Sequence, residues 1–78
     1  MKTTDIQDTF PIHAYGRTEL ALLYNPYLTP RGAYRRLMRW IDYSPGLRER
    51  LEKLSTQRNN RMWTPAQVAL IVEALGEP

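Results

Sequence analysis

The chain has 78 residues, no cysteine, one histidine and a formal net charge of +3. A chain this short forms one small domain, its lack of thiols excludes disulfides, and no apolar run approaches the roughly 18 residues of a membrane-spanning helix. The first ten residues lack the apolar stretch of a signal peptide, so a cytoplasmic protein without a membrane partner is expected.

The positive charge is concentrated in the middle of the chain. Residues 31–61 carry nine Lys or Arg side chains and three carboxylates, and eight of the nine cations are Arg. The flanking segments, residues 1–30 and 62–78, are both slightly acidic. Because a guanidinium group can give phosphate two parallel hydrogen bonds, this Arg-rich segment favours an anionic partner, with nucleic acid first.

The first part of the chain predicts a tail, a short strand and a short helix. Residues 1–9 are polar and are expected to form a flexible tail before a single domain over residues 10–78. Residues 10–14 fit an edge strand that pairs with residues 60–63 in a wing-like, two-stranded sheet. Thr18 is the expected N-cap of a helix over residues 18–24.

Three later helices are predicted from a repeated start signal, a hydroxyl residue followed by proline. The signal occurs at Thr29-Pro30, Ser44-Pro45 and Thr64-Pro65. The hydroxyl caps a free backbone amide, and proline at the first helical position loses no needed donor. The expected helices span residues 30–43, 45–55 and 65–75. The fold class is therefore a mostly α, small four-helix domain.

Helical periodicity predicts which side chains form the core. The side chains expected to be nearly buried are Leu37, Trp40, Leu51 and Ile71. Leu54 is also expected to face inward. A second apolar stripe, nearly opposite the main apolar face of the last helix, consists of Ala66, Leu70 and Ala74. If this stripe is exposed in the monomer, a two-fold homodimer is expected to cover it.

The predicted helix over residues 30–43 has an apolar face and a basic face. At about 100° per residue, Arg31, Arg35 and Arg39 form a row opposite the apolar side chains, and Arg36 lies on its flank. The main candidate contacts for an anionic partner are Arg31, Arg35, Arg36 and Arg39. Lesser phosphate contacts are expected at Arg17, Arg58 and Arg61.

Two interpretations of this helix are open. Paired with the helix over residues 18–24, it fits a helix-turn-helix whose second helix faces the major groove of duplex DNA, although the turn at residues 25–29 is long for that motif. The alternative is a helical hairpin with a solvated Arg face. The matching functions are a transcriptional or mobile-element regulator that binds DNA, or a non-catalytic adaptor that binds a partner protein. The adaptor would use the same basic face or the Ala66, Leu70 and Ala74 stripe.

The sequence does not favour an enzyme. It offers no Cys nucleophile, no Gly-rich phosphate loop and no His beside a Ser and a carboxylate. His13 has no cluster of carboxylates around it, so no metal site is inferred. No cofactor and no small-molecule substrate are expected either.

Several motifs resemble a family of short bacterial proteins, domain of unknown function 4248. These motifs are Tyr15-Gly16-Arg17-Thr18-Glu19-Leu20-Ala21, Leu23-Tyr24-x-Pro26, Thr29-Pro30, Ala33, Leu37-x-x-Trp40-Ile41, Thr64-Pro65-x-Gln67-Val68-x-Leu70-Ile71 and Leu75-Gly76-Glu77-Pro78. The resemblance covers about residues 10–78 and implies a single domain without an assigned activity. The first half also resembles, more weakly, the helix-turn-helix of small excisionase-like and MerR-like regulators.

Overall fold

The computed structural model describes residues 10–55 and 61–78. In these residues the chain forms a two-stranded sheet and four α-helices. The bounds are β1 Tyr15–Gly16, α1 Arg17–Tyr24, α2 Pro30–Tyr43, α3 Leu47–Lys53, β2 Met62–Trp63 and α4 Pro65–Leu75. The predicted mostly α class is confirmed. The predicted tail, residues 1–9, lies outside the described residues.

The two-stranded sheet exists, but its first strand lies later in the chain than predicted. Tyr15 pairs with Trp63 and Gly16 with Met62, in antiparallel register. The Tyr15 hydroxyl donates a hydrogen bond to the carbonyl oxygen of Pro11 at 2.9 Å, and the Phe10 ring stacks on the Tyr15 ring with 5.3 Å between centroids. These contacts fold residues 10–14 back onto Tyr15, so the prediction of a strand over residues 10–14 is wrong.

Helix α1 begins one residue before the predicted N-cap. Gly16, in extended conformation, is the N-cap, and its N–H donates to the Glu19 carboxylate at 2.9 Å. Thr18 lies inside the first turn, so its predicted capping role is wrong. A carboxylate at this position accepts from the cap amide and lies at the positive end of the helix dipole, which stabilises this start.

Helix α2 has the predicted bounds. The Thr29 hydroxyl accepts from the Gly32 N–H at 3.1 Å, and Pro30 occupies the first helical position. Three side chains spaced four residues apart have no exposed surface: Ala33, Leu37 and Ile41. The apolar face of α2 therefore follows the predicted period.

Trp40 is only half-buried, so the prediction that it is nearly buried is wrong. Its ring meets the Tyr24 ring edge-on, with 6.2 Å between centroids. Trp40 lies about 100° around the helix from Ile41, which places it at the margin of the buried stripe. The other three predicted core residues are buried: Leu37, Leu51 and Ile71.

The pair Ser44-Pro45 does not start a helix. The Ser44 N–H donates to the carbonyl oxygens of Trp40 and Ile41, both at 3.2 Å, so Ser44 ends α2. Gly46 then adopts a left-handed conformation with φ of 74°, and α3 begins only at the next residue. Since α3 ends at Lys53, Leu54 lies beyond the last helical turn and is 38% exposed, so its predicted inward position is wrong.

Helix α4 starts with the predicted capping box. The Thr64 hydroxyl accepts from the Gln67 N–H at 3.2 Å, and the Gln67 side-chain oxygen accepts from the Thr64 N–H at 2.9 Å. The amide nitrogen of the buried Gln67 side chain donates to the carbonyl oxygen of Leu51 at 3.1 Å. The same residue therefore caps α4 and joins it to α3.

The core includes side chains of α1, α2 and α4 with no exposed surface: Leu20, Ala21, Ala33, Leu37, Ile41, Val68 and Ile71. The Tyr24 hydroxyl donates to the Gly76 carbonyl oxygen at 2.5 Å, which holds the end of α4 against α1. On the predicted second stripe of α4, Leu70 is only 8% exposed, whereas Ala66 and Ala74 are exposed. The stripe is therefore split between a buried centre and two exposed ends.

Candidate nucleic-acid interface

The four main candidate residues, Arg31, Arg35, Arg36 and Arg39, are all exposed on α2, and together they are called the basic face. None of them forms an ion pair with a carboxylate in residues 10–55 or 61–78. The basic face is held in place because the opposite side of α2 is fully buried. These four side chains are therefore open to solvent on one helix, and their role as contacts for an anionic partner stays a prediction.

Asp42 is the carboxylate nearest to this row along α2, and it pairs with a residue of α3 rather than with an Arg of the row. Its Oδ1 accepts from the Nε of Arg48 on α3 at 2.5 Å. The hydrogen bond from Arg48 lowers the pKa of Asp42, and the positive charge of Arg48 acts in the same direction. Because Asp42 binds Arg48, Arg39 has no carboxylate partner in the described residues.

A shallow groove of about 350 Å³ runs along the basic face. This α2 groove is lined by Tyr34, Arg35, Met38, Arg39, Asp42 and Tyr43. Tyr43 is 75% exposed. Tyr34 and Tyr43 lie nine residues, or about two and a half turns, apart, so they border the groove from opposite flanks of the Arg row. These two tyrosines were not among the predicted site residues; their helical positions on the two flanks of the Arg row were the available signal.

Arg17 lies away from the basic face, in a second pocket. Its guanidinium carbon lies 4.0 Å from the centroid of the buried Trp63 ring, a cation–π contact. It lines a pocket of about 190 Å³ together with Arg48. Its Nε is buried and has no hydrogen-bond partner in the part of the chain that the structure describes. Arg17 thus packs against the sheet and covers the Trp63 ring.

The other two lesser candidates lie near β2. Arg58 is outside the described residues. Arg61 is exposed immediately before β2, and its carbonyl oxygen accepts from the Arg17 N–H at 3.2 Å. Of the three lesser candidates, the structure therefore places Arg17 and Arg61 next to each other at the sheet, separate from the four side chains of the basic face.

Two features of the described residues bear on the kind of site. Across residues 10–55 and 61–78, no three His, Asp or Glu side chains come together in a way that could hold a metal ion. In the same residues, no helix has both the length and the apolar character needed to cross a membrane. The basic face and its groove are the candidate site.

Comparison with known families gives one result for nearly the whole chain. The model of the family described as Domain of unknown function (DUF4248) matches residues 11–78. The chain belongs to this family, as its motifs indicated. Comparison with curated proteins finds no match, and neither does comparison with solved structures. The weaker resemblance to helix-turn-helix regulators receives no support from these comparisons.

Proposed function

We propose that the protein binds duplex DNA through the basic face of α2 and has no catalytic role. One observation carries this proposal: four exposed Arg side chains lie on one helix without carboxylate partners in the described residues, while the nearest acid, Asp42, binds Arg48. Unpaired guanidinium groups bind phosphate strongly because each can donate two parallel hydrogen bonds to it.

The length of the Arg row fits the dimensions of B-DNA. Arg31 and Arg39 are eight residues apart, which is about 12 Å along a helix. The major groove is also roughly 12 Å wide and admits an α-helix. A helix crossing the groove could therefore place Arg31 and Arg39 near phosphates on both sides, with Arg35 facing the base edges between them.

The arrangement of α1 and α2 is the helix-turn-helix part of the proposal. α1 packs along the inner side of α2, with residues 25–29 as the connection. In a helix-turn-helix, the first helix supports a second helix that enters the groove. This role suits a regulator of bacterial transcription or of a mobile element, and such a regulator works in the cytoplasm.

The test is a fluorescence-anisotropy titration of labelled duplex DNA at several salt concentrations. Each phosphate contact should contribute about 0.9 to the slope of log affinity against log salt. Replacing both Arg35 and Arg39 with Ala should lower the slope by roughly 1.8 if both contact phosphate. If Arg35 reads a guanine edge, its replacement should instead reduce discrimination at one base pair by roughly 1–3 kcal/mol.

A charge-matched control distinguishes a specific face from net charge. Arg50 and Lys53 are exposed cations on α3, outside the α2 groove. Replacing this pair with Ala removes the same charge and should leave the slope nearly unchanged, when measured at concentrations where sedimentation shows a single species. Equal loss in both double variants, or no salt-sensitive binding by the wild-type protein at low salt, would refute the proposal.

A second candidate function is a protein adaptor, and the α2 groove favours it. Tyr34, Met38 and Tyr43 lie beside Arg35 and Arg39, and aromatic residues, Met and Arg are the residues enriched at protein interfaces. The adaptor would bind an acidic peptide on the same surface. It is preferred if an acidic peptide binds and duplex DNA does not, and if Tyr43→Ala weakens binding as much as Arg39→Ala.

A further inference from the structure

A second surface, separate from the basic face, is a groove between α3 and α4. It has a volume of about 390 Å³. On the α3 side it is lined by Arg50, Lys53 and Leu54, all exposed. Leu54 is 38% exposed although the residue is apolar. The groove therefore leaves apolar surface in contact with water beside two cations.

On the α4 side, the groove has a floor of small side chains. Ala66 and Ala69 are exposed, and Leu70 lies deeper, at 8% exposure. Ala66, Ala69 and Glu73 are spaced three and four residues apart, so they lie on one face of α4. Helices approach most closely where their contact positions carry small side chains. The floor is thus shaped for a second helix that also presents small side chains.

The rim of the groove carries opposite charges on its two sides. Arg50 and Lys53 lie on α3, and Glu73 lies on α4. None of the three forms an ion pair within the described residues. A helix that fits this groove must therefore bring a carboxylate to the α3 side. The exposed face of α4 has both required properties, because it carries Ala66 and Ala69 next to Glu73.

We propose that this groove binds α4 of a second copy of the chain in a two-fold dimer. In such a dimer the same patch is used twice, so α4 of each copy packs antiparallel against the other near Ala69. Glu73 of each copy then meets the basic side of the other copy's groove. The contact also covers Leu54. This inference does not use the basic face and stands independently of DNA binding.

The first experiment measures mass by analytical ultracentrifugation of the full chain. Between about 10 µM and about 1 mM, the average mass of the wild-type protein should rise from monomer towards dimer by mass action. Ala69→Arg places a long cation on the groove floor and should keep the protein monomeric. Ala74→Arg is the matched control, because Ala74 is exposed on the same helix but does not line the groove. It should dimerise like the wild-type protein.

The second experiment reverses the charges across the groove. Glu73→Lys and Lys53→Glu should each weaken dimerisation, and a chain carrying both changes should recover most of the lost association. Recovery identifies a contact between copies, since two changes that merely disturbed folding would not compensate each other. Circular dichroism checks that each variant is folded. A wild-type monomer at all concentrations, equal loss in Ala69→Arg and Ala74→Arg, or a double variant no better than either single one would overturn the proposal.

Discussion

The substitution Leu37→Ala tests the assignment of the two faces of α2, one buried and one basic. Leu37 is at the centre of the apolar face and has no exposed surface. Truncating a buried Leu to Ala costs roughly 2–5 kcal/mol, because the transfer free energy of the side chain is lost and a cavity remains. A domain of this size has a total stability of about 4–12 kcal/mol. The substitution should therefore remove a large part of the free energy of unfolding.

Urea titration and thermal unfolding, both followed by circular dichroism, measure this loss. In a domain of this length each kcal/mol corresponds to about 4–8 °C in Tm, so Tm should fall by at least about 8 °C. The neighbouring substitution Arg36→Ala is the control, because Arg36 is exposed on the same helix. It should change stability by less than about 0.5 kcal/mol.

The effects of these two substitutions on DNA binding should be in the opposite order to their effects on stability. Arg36→Ala should lower the salt slope by about 0.9 if Arg36 contacts a phosphate. Leu37→Ala, measured at a temperature where it is still folded, should keep the wild-type affinity. The assignment of the two faces is refuted if Leu37→Ala unfolds at the wild-type urea concentration, or if Arg36→Ala destabilises the protein as much as Leu37→Ala does.

Three further changes test a cap, a tyrosine and the acid beside the basic face. Thr64→Ala should cost about 0.5–2 kcal/mol in urea unfolding, because the hydroxyl no longer accepts from Gln67; an unchanged midpoint would contradict the capping box. Burial first, and then the charge of Glu77, raises the pKa of Tyr24 from its ordinary value of 10.0 to about 12, so the contribution of the Tyr24 hydroxyl to stability is fully present below pH 10 and is lost as pH rises towards 12. The shift corresponds to at most about 2.7 kcal/mol and to roughly half of that after solvent screening of the part-exposed ring. Tyr24→Phe should therefore reduce the fall in the free energy of unfolding between about pH 10 and pH 12. An identical fall in this variant would show that Tyr24 is not its source. Asp42→Asn should raise DNA affinity at low salt and not at high salt; lower affinity at low salt would show that Asp42 supports binding.

The helix starts show where local sequence signals suffice. Thr29-Pro30 and Thr64-Pro65 cap helices as predicted, because each hydroxyl reaches an amide three residues ahead in the same turn. Ser44-Pro45 looks the same but is followed by Gly46, whose left-handed conformation turns the chain before α3 begins. This glycine is the sequence signal against a helix that begins at residue 45.

The burial of single side chains was less predictable than the helices. Helical period placed Leu37 correctly, because it is central in its stripe. Trp40 and Leu54 lie at a margin of the stripe and beyond a helix end, where burial depends on which neighbouring element covers them. Those neighbours are set by tertiary packing. The ion pair of Asp42 with Arg48 likewise depends on the turn between α2 and α3, which the spacing of six residues alone does not determine.

The basic face is the part of the site that helical periodicity could predict. Its like charges lower the stability of α2 in the absence of a partner. Arg31 with Arg35, and Arg35 with Arg39, are like-charge pairs at four-residue spacing, and each such pair destabilises a helix by about 0.2–0.5 kcal/mol. Arg31 also lies in the first turn, where a cation is disfavoured by the helix dipole. A carboxylate on the same side of α2 would offset these costs, yet Asp42 binds α3 instead. An anionic partner removes all of them at once, so duplex DNA should raise the Tm of the wild-type protein, and should do so less for the variant in which Arg35 and Arg39 are both Ala.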